Sequence, residues 1–261
     1  MPMRYLISVL AAVVLVIGGQ VPVPVEAADV HFAQLETKEE AAPTGGAFVE
    51  DFDSEGLTPH WEVINPVADS FIVDDGALLI VSSAQGEFSK DTVTNLFKLT
   101  RVAPDGDWVA STRVKLDAQT GKEAFYLLLH DDAQNHVGVG VYTWFECCGY
   151  NAVVEASAFK RLGEQTGDFH RRIWKSEVNS QYFGESARPL PAIVLRLEKR
   201  GHSFYPAVKL DSPPDADWIE LERLVALRAK GRISFALYQY EEVAGETVAT
   251  VDWLRVEPIP R

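Results

Sequence analysis

The stretch "AFYLLLHDDAQNHVGVGVYTWF", residues Ala124 to Phe145, decides the fold of this chain. Its first part, Ala124 to His130, is apolar on both faces of an extended chain, which predicts a central strand. The polar run "HDDAQNH" predicts a hairpin turn. The last part, His136 to Phe145, alternates and so predicts a second strand. One face of that strand carries Val137, Val139, Val141 and Thr143, and the other carries Gly138, Gly140, Tyr142 and Trp144.

Similar strand signals continue on both sides of this stretch. Asp74-Asp75-Gly76 separates "SFIV" from "ALLIVSS", and Arg200-Gly201 separates "AIVLRLEK" from "SFYPAVKL", so both sites predict hairpins. "WVASTRVKL" also alternates, with Trp108 on its apolar face. Many short alternating strands without a βαβ rhythm predict an all-β protein, a two-sheet antiparallel β-sandwich.

Two segments depart from this strand pattern. Leu221 to Lys230 places Leu221, Leu224, Val225 and Arg228 at the spacing of a helix face, which predicts one short helix. Gly149 to Ala187 is polar, aromatic and poorly periodic. We expect long loops in this insertion, with a short strand at Val153 to Phe159.

The N-terminus has the pattern of a signal peptide. Arg4 precedes an uncharged apolar run from Tyr5 to Gly19, and Val25-Glu26-Ala27 predicts cleavage after Ala27. A retained membrane anchor is the alternative, although the apolar run is shorter than the ~20 residues that a spanning helix needs. The predicted organisation is a signal peptide at 1–27, a flexible tether at 28–46 and one sandwich domain at 47–261. The predicted location is secreted or periplasmic.

The charge balance narrows the classes of partner. The chain has 24 basic and 38 acidic residues, a formal net charge of −14. This balance argues against nucleic acid, whose phosphates attract lysine and arginine. It argues equally against anionic membranes, so no membrane contact is expected after signal cleavage. The sequence does not indicate an oligomeric state.

Several stretches together resemble a known family. They are "EDFDSEGLTPHWEV" (Glu50 to Val63), "FIVDDGALLI", "DWVASTRVKL", "YLLLHDDAQNHVGVGVY", "VLRLEKRGHSFYPAV", "ADWIEL" and "TVATVDWLRVEP". In this order they are similar to concanavalin A-like lectin/glucanase jelly-roll modules. Among these, they most resemble DUF1349-type proteins and the C-terminal domains of glycoside hydrolase family 43. The resemblance implies two packed antiparallel sheets, one of them concave, with the first and last strands paired. It implies a role in polysaccharide recognition, in shaping a neighbouring active site, or in structural support.

The strand face with two glycines and two aromatic residues is a candidate ligand site. Glycines leave a sheet surface bare, and adjacent rings give platforms on which the apolar faces of sugars stack. We expect Tyr142 and Trp144 to stack on a carbohydrate, and the insertion to wall one side through Trp174 and Tyr182. Arg171 or the neighbouring Arg172 would donate hydrogen bonds. The alternative is that Tyr142 and Trp144 are packed as ordinary core.

Acidic residues at the two ends of the domain suggest a calcium site. Glu50, Asp51 and Asp53 lie near the predicted first strand, and Asp252 lies in the last. If these strands pair, the four carboxylates converge, and calcium takes 6–8 oxygen ligands. The alternative is a solvated acidic edge that discourages strand addition. The sequence therefore suggests calcium as a cofactor, but it does not establish any cofactor.

Cys147 and Cys148 are the two cysteines of the chain, side by side at the start of the insertion. Export favours oxidation. A bond between them would be strained, because adjacent Cα atoms lie ~3.8 Å apart, below the usual range for a disulfide. A vicinal disulfide that rigidifies the turn is one hypothesis. Two free thiols or an intermolecular bridge are the alternatives.

No motif in the sequence establishes catalysis. The run Glu50 to Glu55 is similar to an acidic glucanase strand, but its spacing differs, and neither G-x-S-x-G nor H-E-x-x-H occurs. The sequence therefore favours an exported, non-catalytic module that binds a polysaccharide on its concave sheet. A glycoside hydrolase or lyase on the same scaffold is one alternative, and a structural or partner-binding envelope protein is the other.

Overall fold

The structure is a computed structural model that describes residues 46–82, 92–118, 121–146, 151–176, 190–213, 216–239 and 246–260. Most of these residues lie in strands, and none of them lies in a helix. The strands are β1 (Phe48–Glu50), β2 (Trp61–Ile64), β3 (Phe71–Asp74), β4 (Ala77–Val81), β5 (Leu96–Leu99), β6 (Trp108–Asp117), β7 (Glu123–Asp132), β8 (Asn135–Phe145), β9 (Ala152–Leu162), β10 (Gln165–Lys175), β11 (Ile193–Arg200), β12 (Ser203–Leu210), β13 (Ile219–Glu220), β14 (Leu224–Val225), β15 (Arg232–Gln239) and β16 (Val248–Pro258).

Across the described ranges these strands form two antiparallel sheets. The nine-stranded sheet has the order β13-β12-β11-β6-β16-β4-β3, with β1 paired to β16 and β14 paired to β12. The seven-stranded sheet has the order β10-β9-β8-β7-β15-β5-β2. The predicted all-β, two-sheet antiparallel architecture is therefore confirmed.

The apolar core lies between the two sheets. Its centre is aromatic: the ring of Phe235 stacks on those of Phe97 and Phe125, with centroids 5.3 Å and 5.8 Å away. The ring of Trp61 meets that of Phe235 edge-on at 4.9 Å. Burial of these large rings is a principal source of stability, because apolar area removed from water stabilises by about 25 cal/mol per Å².

The strand predictions from the deciding stretch are confirmed. Strand β7 is the fourth of seven in its sheet, and Leu127, Leu128 and Leu129 on its two faces are all buried. The predicted hairpin between β3 and β4 turns through Asp75 and Gly76, whose φ angles are 48° and 70°. Two consecutive positive φ angles give a turn that matches the right-handed twist of the strands.

The first and last strands pair, as the resemblance implies. In the register of β1 with β16, Phe48 lies opposite Val256 and Glu50 lies opposite Leu254. Strand β16 also pairs with β6 and β4, so the C-terminal strand lies in the middle of the nine-stranded sheet.

The predicted helix at Leu221 to Lys230 is wrong. Its backbone pairs with β12 instead, through the short strand β14 and a hydrogen bond from the Leu221 amide to the Pro206 carbonyl, 3.0 Å. Leu224 is buried in the core, whereas Val225 is exposed. A ten-residue helix is marginal on its own, and strand pairing satisfies the same backbone groups against an existing sheet.

In the insertion, the predicted short strand at Val153 to Phe159 is confirmed as part of β9, but the long loops predicted around it are wrong where the structure describes them. Strands β9 and β10 form a long antiparallel hairpin that extends the seven-stranded sheet beyond β8. The side chains of β9 alternate between the two faces of the sheet, which explains why this segment is a strand. Val154, Ala156 and Ala158 face the core, and Glu155, Ser157 and Phe159 face outward. Residues 147–150 and 177–189, which include Cys147, Cys148 and Tyr182, lie outside the described residues.

The signal peptide and the tether at the N-terminus stay predictions. Residues 1–45, with the predicted signal peptide and nearly all of the predicted tether, lie outside the described residues. Among the residues that are described, no helix is long and apolar enough to cross a membrane.

Candidate functional site: the outer face of the seven-stranded sheet

A groove of about 350 Å³ lies on the outer face of the seven-stranded sheet, on the side away from the core. It crosses strands β10, β9, β8, β7 and β15. Its lining consists of Tyr126, His136, Ser157, Phe159, Lys160, Arg161, Thr166, Gly167, Asp168, His170 and Tyr238. The lining thus combines an aromatic floor with polar and charged side chains.

Glycines make the floor of this groove possible. A Cβ placed on Gly140 would lie 2.1 Å from Cδ1 of Tyr126 and 2.6 Å from the carbonyl oxygen of Phe125. A Cβ on Gly138 would lie 2.7 Å from Cζ of Phe159. Because neither space can hold a side chain, the rings of Tyr126 and Phe159 lie across β8 where ordinary residues would project.

The floor consists of three rings from three strands. Tyr126 and Phe159 meet edge-to-face, with centroids 4.8 Å apart. Tyr238 lies on the other side of Tyr126, at 6.5 Å and a tilt of 33°. Together the rings offer an apolar surface in the groove, and their phenolic hydroxyl groups give two of them a polar end.

One wall of the groove is polar and ordered by hydrogen bonds. Nε2 of His170 lies 2.8 Å from Oδ2 of Asp168, and the His170 ring packs edge-on against Tyr142 at 5.1 Å. The Tyr142 hydroxyl donates to the carboxylate of Glu155, its cross-strand neighbour. Ser157 is only 2% exposed and lines the groove, yet its hydroxyl has no hydrogen-bond partner among the described residues. A buried polar atom of this kind needs a water or ligand partner.

A second pocket of about 240 Å³ lies on the same face, above β7, β5 and β2. Lys98 and His130 line it, and the Lys98 ammonium donates to the Asp131 carbonyl at 2.8 Å and lies 3.4 Å from Nδ1 of His130. The His130 ring stacks on that of His136 at 6.0 Å, and His136 lines the larger groove. The two histidines therefore connect the pockets.

The turn beside this second pocket holds an ionised carboxylate. Burial is the largest influence on Asp132 and would raise its pKa. The hydrogen bonds that Asp132 accepts from the Gln134 amide and the Asn135 side chain outweigh it, so the pKa is lowered from the ordinary 3.8. Asp132 is thus a charge that the turn itself stabilises.

The predicted stacking residues lie on the predicted face but outside the groove. Tyr142 and Trp144 point outward on β8, beyond the His170 wall. Trp144 lies beneath the guanidinium of Arg172, which is 5.8 Å from its ring and 2.8 Å from Glu146. Both aromatic side chains are half-buried, and neither forms the floor: Tyr142 supports the wall through His170, and Trp144 packs under Arg172.

Trp174 and Arg171 are not placed as the sequence suggested. Trp174 is 3% exposed and belongs to the core, because a bulge between Arg172 and Trp174 turns it inward opposite Val154. Arg171 lies opposite the core-facing Ala156 and donates to the Glu220 carbonyl of the other sheet at 3.3 Å. Neither residue contributes to the groove, and Tyr182 lies outside the described residues.

The four carboxylates predicted to bind calcium do not converge. Glu50 is 7% exposed and accepts hydrogen bonds from the Phe52 amide at 3.2 Å, the Thr58 hydroxyl at 2.8 Å and the Trp61 indole at 3.1 Å. Asp252 forms an ion pair with Arg113, and Asp51 and Asp53 are exposed. Within the described residues, no group of three or more acidic, histidine or cysteine side chains could hold a metal ion. The calcium prediction for Glu50, Asp51, Asp53 and Asp252 is corrected accordingly.

The groove residues that sequence analysis missed are Tyr126, Phe159 and Tyr238. A signal was available, because the two glycines of β8 leave bare positions that a cross-strand ring can cover. Register decides which rings these are: Tyr126 lies opposite Gly140, and Phe159 lies opposite Gly138.

Comparisons with known proteins identify relatives of this fold. No protein-family model matches the sequence, and no curated protein matches it. Among solved structures, the chain is similar to Bacteroides ovatus xyloglucan PUL GH43B, at 16% identity and a TM-score of 0.57, covering 81% of this chain and 39% of that one. It is similar to the xylan beta-1,4-xylosidase of Bacillus halodurans C-125, at 12% identity and a TM-score of 0.58. That match covers 80% of this chain and 38% of the enzyme. It also matches the CBM2 module of the evolved Dit of Lactobacillus casei BL23 phage J-1, at 9% identity and a TM-score of 0.53. That match covers 82% of this chain and 96% of the module.

These matches establish the type of fold. The feature that this chain shares with these structures is the two-sheet antiparallel β-sandwich. This chain spans about 39% of the length of the first enzymes it matches, whereas it covers 96% of the CBM2 module. At these identities the likeness concerns the fold alone.

Proposed function

We propose that this protein is a non-catalytic module that recognises a carbohydrate in the groove on the outer face of its seven-stranded sheet. The observation that carries the proposal is the aromatic floor of Tyr126, Phe159 and Tyr238 bordered by polar groups. Sugar rings have apolar C–H faces and a periphery of hydroxyl groups. A flat apolar floor with hydrogen-bonding walls matches both.

The size and location of the groove support this proposal. Its volume of about 350 Å³ lies in the usual range for small-ligand sites, roughly 300–1,000 Å³. The groove crosses five strands, so an extended chain of sugars has room along it. The fold is also shared with family 43 enzymes and with a CBM2 module, and the latter match spans nearly that whole structure. A secreted or periplasmic location, suggested by the signal-peptide pattern at 1–27, is part of the proposal.

The two carboxylates in or beside the groove wall, Asp168 and Glu155, favour binding over hydrolysis. A glycosidase needs two carboxyl groups at most about 9.5 Å apart on either side of the scissile bond. Asp168 lies opposite Phe159, and Phe159 lies four residues along β9 from Glu155. The backbone positions of Asp168 and Glu155 are therefore about 13 Å apart along the strand direction. Glu155 accepts the Tyr142 hydroxyl, and Asp168 pairs with His170. Both carboxylates therefore have structural roles.

The test is a binding screen against soluble polysaccharides, read by affinity electrophoresis and calorimetry. Phe159→Leu and Tyr238→Leu keep apolar volume but remove the flat ring, and we expect about five- to ten-fold weaker binding for each. Trp253→Leu is the matched control, because Trp253 lies on the outer face of the other sheet under Arg255. Equal losses in all three variants, or an unchanged affinity in the two groove variants, would contradict the proposed site.

A further inference from the structure

Basic side chains line up across the outer face of the seven-stranded sheet. In cross-strand register, Arg232 lies opposite His130, His130 opposite His136, and His136 opposite Arg161. These residues belong to the adjacent strands β15, β7, β8 and β9. We call this row, together with Lys98, whose ammonium lies 3.4 Å from Nδ1 of His130, the basic ladder.

A ladder of this kind has an electrostatic cost. Desolvation disfavours the charged form of a buried basic group, and the two histidines lie directly opposite each other in the register. Lys98, His130 and His136 are 7%, 4% and 6% exposed. The whole chain carries a net charge of −14, so its composition does not account for a basic row. Local departures from favourable patterning are expected at functional sites.

Carboxylates also lie near the ladder. Glu62 pairs with Arg232 at 2.6 Å, at the outer end of the ladder. Asp131 lies 3.5 Å from the Lys230 ammonium, and Asp132 accepts hydrogen bonds within its own turn. Arg161 donates through Nε to the Gln134 side chain at 2.9 Å, which fixes its guanidinium beside the groove.

The ladder runs from one pocket to the other. His136 and Arg161 line the larger groove, and Lys98 and His130 line the smaller pocket. We propose that the basic ladder binds the anionic group of an acidic polysaccharide, a carboxylate or a sulfate, while the aromatic floor holds its sugar rings. This inference rests on the proposed function and names its ligand class.

The test uses matched polysaccharides that differ only in charge. Polygalacturonate is compared with its methyl ester, dextran sulfate with dextran, and neutral xylan and xyloglucan complete the panel. We expect the acidic member of a pair to bind at least ten-fold more tightly, and its affinity to fall with salt. The pair that responds distinguishes carboxylate from sulfate. Equal or tighter binding of the neutral members would overturn the acidic ligand and leave carbohydrate recognition intact, whereas no binding across the panel would overturn both.

A pair of arginine variants localises the effect. Arg161→Gln removes one charge from the ladder, and we expect roughly ten-fold weaker binding of the acidic ligand. Arg171→Gln makes the same change in the same hairpin, but its side chain points away from the groove toward Glu220. His136→Gln provides a second ladder variant. If Arg161→Gln and Arg171→Gln weaken binding equally, or neither ladder variant weakens it, the ladder is not the anion site.

Discussion

The floor of the groove depends on the absence of a side chain at Gly140, and Gly140→Ala tests this directly. The new Cβ would lie 2.1 Å from Cδ1 of Tyr126 and 2.6 Å from the Phe125 carbonyl oxygen. Tyr126 could rotate away, but the carbonyl belongs to the central strand β7 and cannot move without disturbing its pairing. The substitution therefore forces a backbone shift as well as a displaced ring.

Overpacking of this kind typically costs about 1–3 kcal/mol, and the backbone contact places Gly140→Ala near the upper end. For a domain of this size, a loss near 3 kcal/mol corresponds to a decrease in Tm of roughly 6–12 °C. The assay is thermal and urea unfolding of the variant beside the parent protein. The same variant should also weaken carbohydrate binding, since the Tyr126 ring leaves the floor.

Gly167→Ala is the matched control. Gly167 lies in β10 of the same sheet, and a Cβ there would meet Cε of Lys160 at 3.3 Å, the far part of a flexible side chain. We expect a neutral or slightly stabilising change, because alanine reduces the freedom of the unfolded chain. Equal stability of the two variants would show that the Tyr126 ring does not lie against Gly140, and the aromatic floor would have to be abandoned.

Three further predictions concern residues singled out by the sequence. Trp174→Ala should lower the free energy of unfolding by about 3–5 kcal/mol, because its ring is core; a stable variant that only loses ligand affinity would contradict this. Glu50→Gln should destabilise the protein by about 1–3 kcal/mol, because it weakens the hydrogen bonds from Phe52, Thr58 and Trp61. EDTA should leave the Tm of the parent protein unchanged. A decrease in Tm with EDTA would instead indicate a calcium site. The Lys175 hydrogen bond, followed by the charge of Arg172, lowers the pKa of Glu146 from its ordinary 4.5, so its contribution to stability is present above pH 4.5 and lost as the pH falls below it. Urea unfolding of Glu146→Gln and the parent should therefore differ at pH 7 and converge in acid, and a constant difference would refute the pairing.

The fold was largely predictable because strand periodicity is a local property. Strand β7 is apolar on both faces and strand β8 alternates, and each pattern is visible within one short segment of the sequence. The hairpin at Asp75 and Gly76 was also local, since both positions tolerate positive φ. The insertion was missed as a hairpin because its outward face is polar and aromatic, so only β9 has a clear apolar alternation.

The sequence by itself determined the two-sheet class, most strands and the shared strand face of Tyr142 and Trp144, because each depends on neighbours along the chain. Only the tertiary structure decided which side chains meet. Strand order and register bring Lys98, His130 and Arg161 to one face of the seven-stranded sheet, although they are far apart in sequence. A bulge between Arg172 and Trp174 places Trp174 in the core while Arg172 stays outside. No periodic pattern in the sequence indicates this bulge. A one-residue shift reverses the face of every later side chain, so the site depends on pairing that a single strand cannot specify.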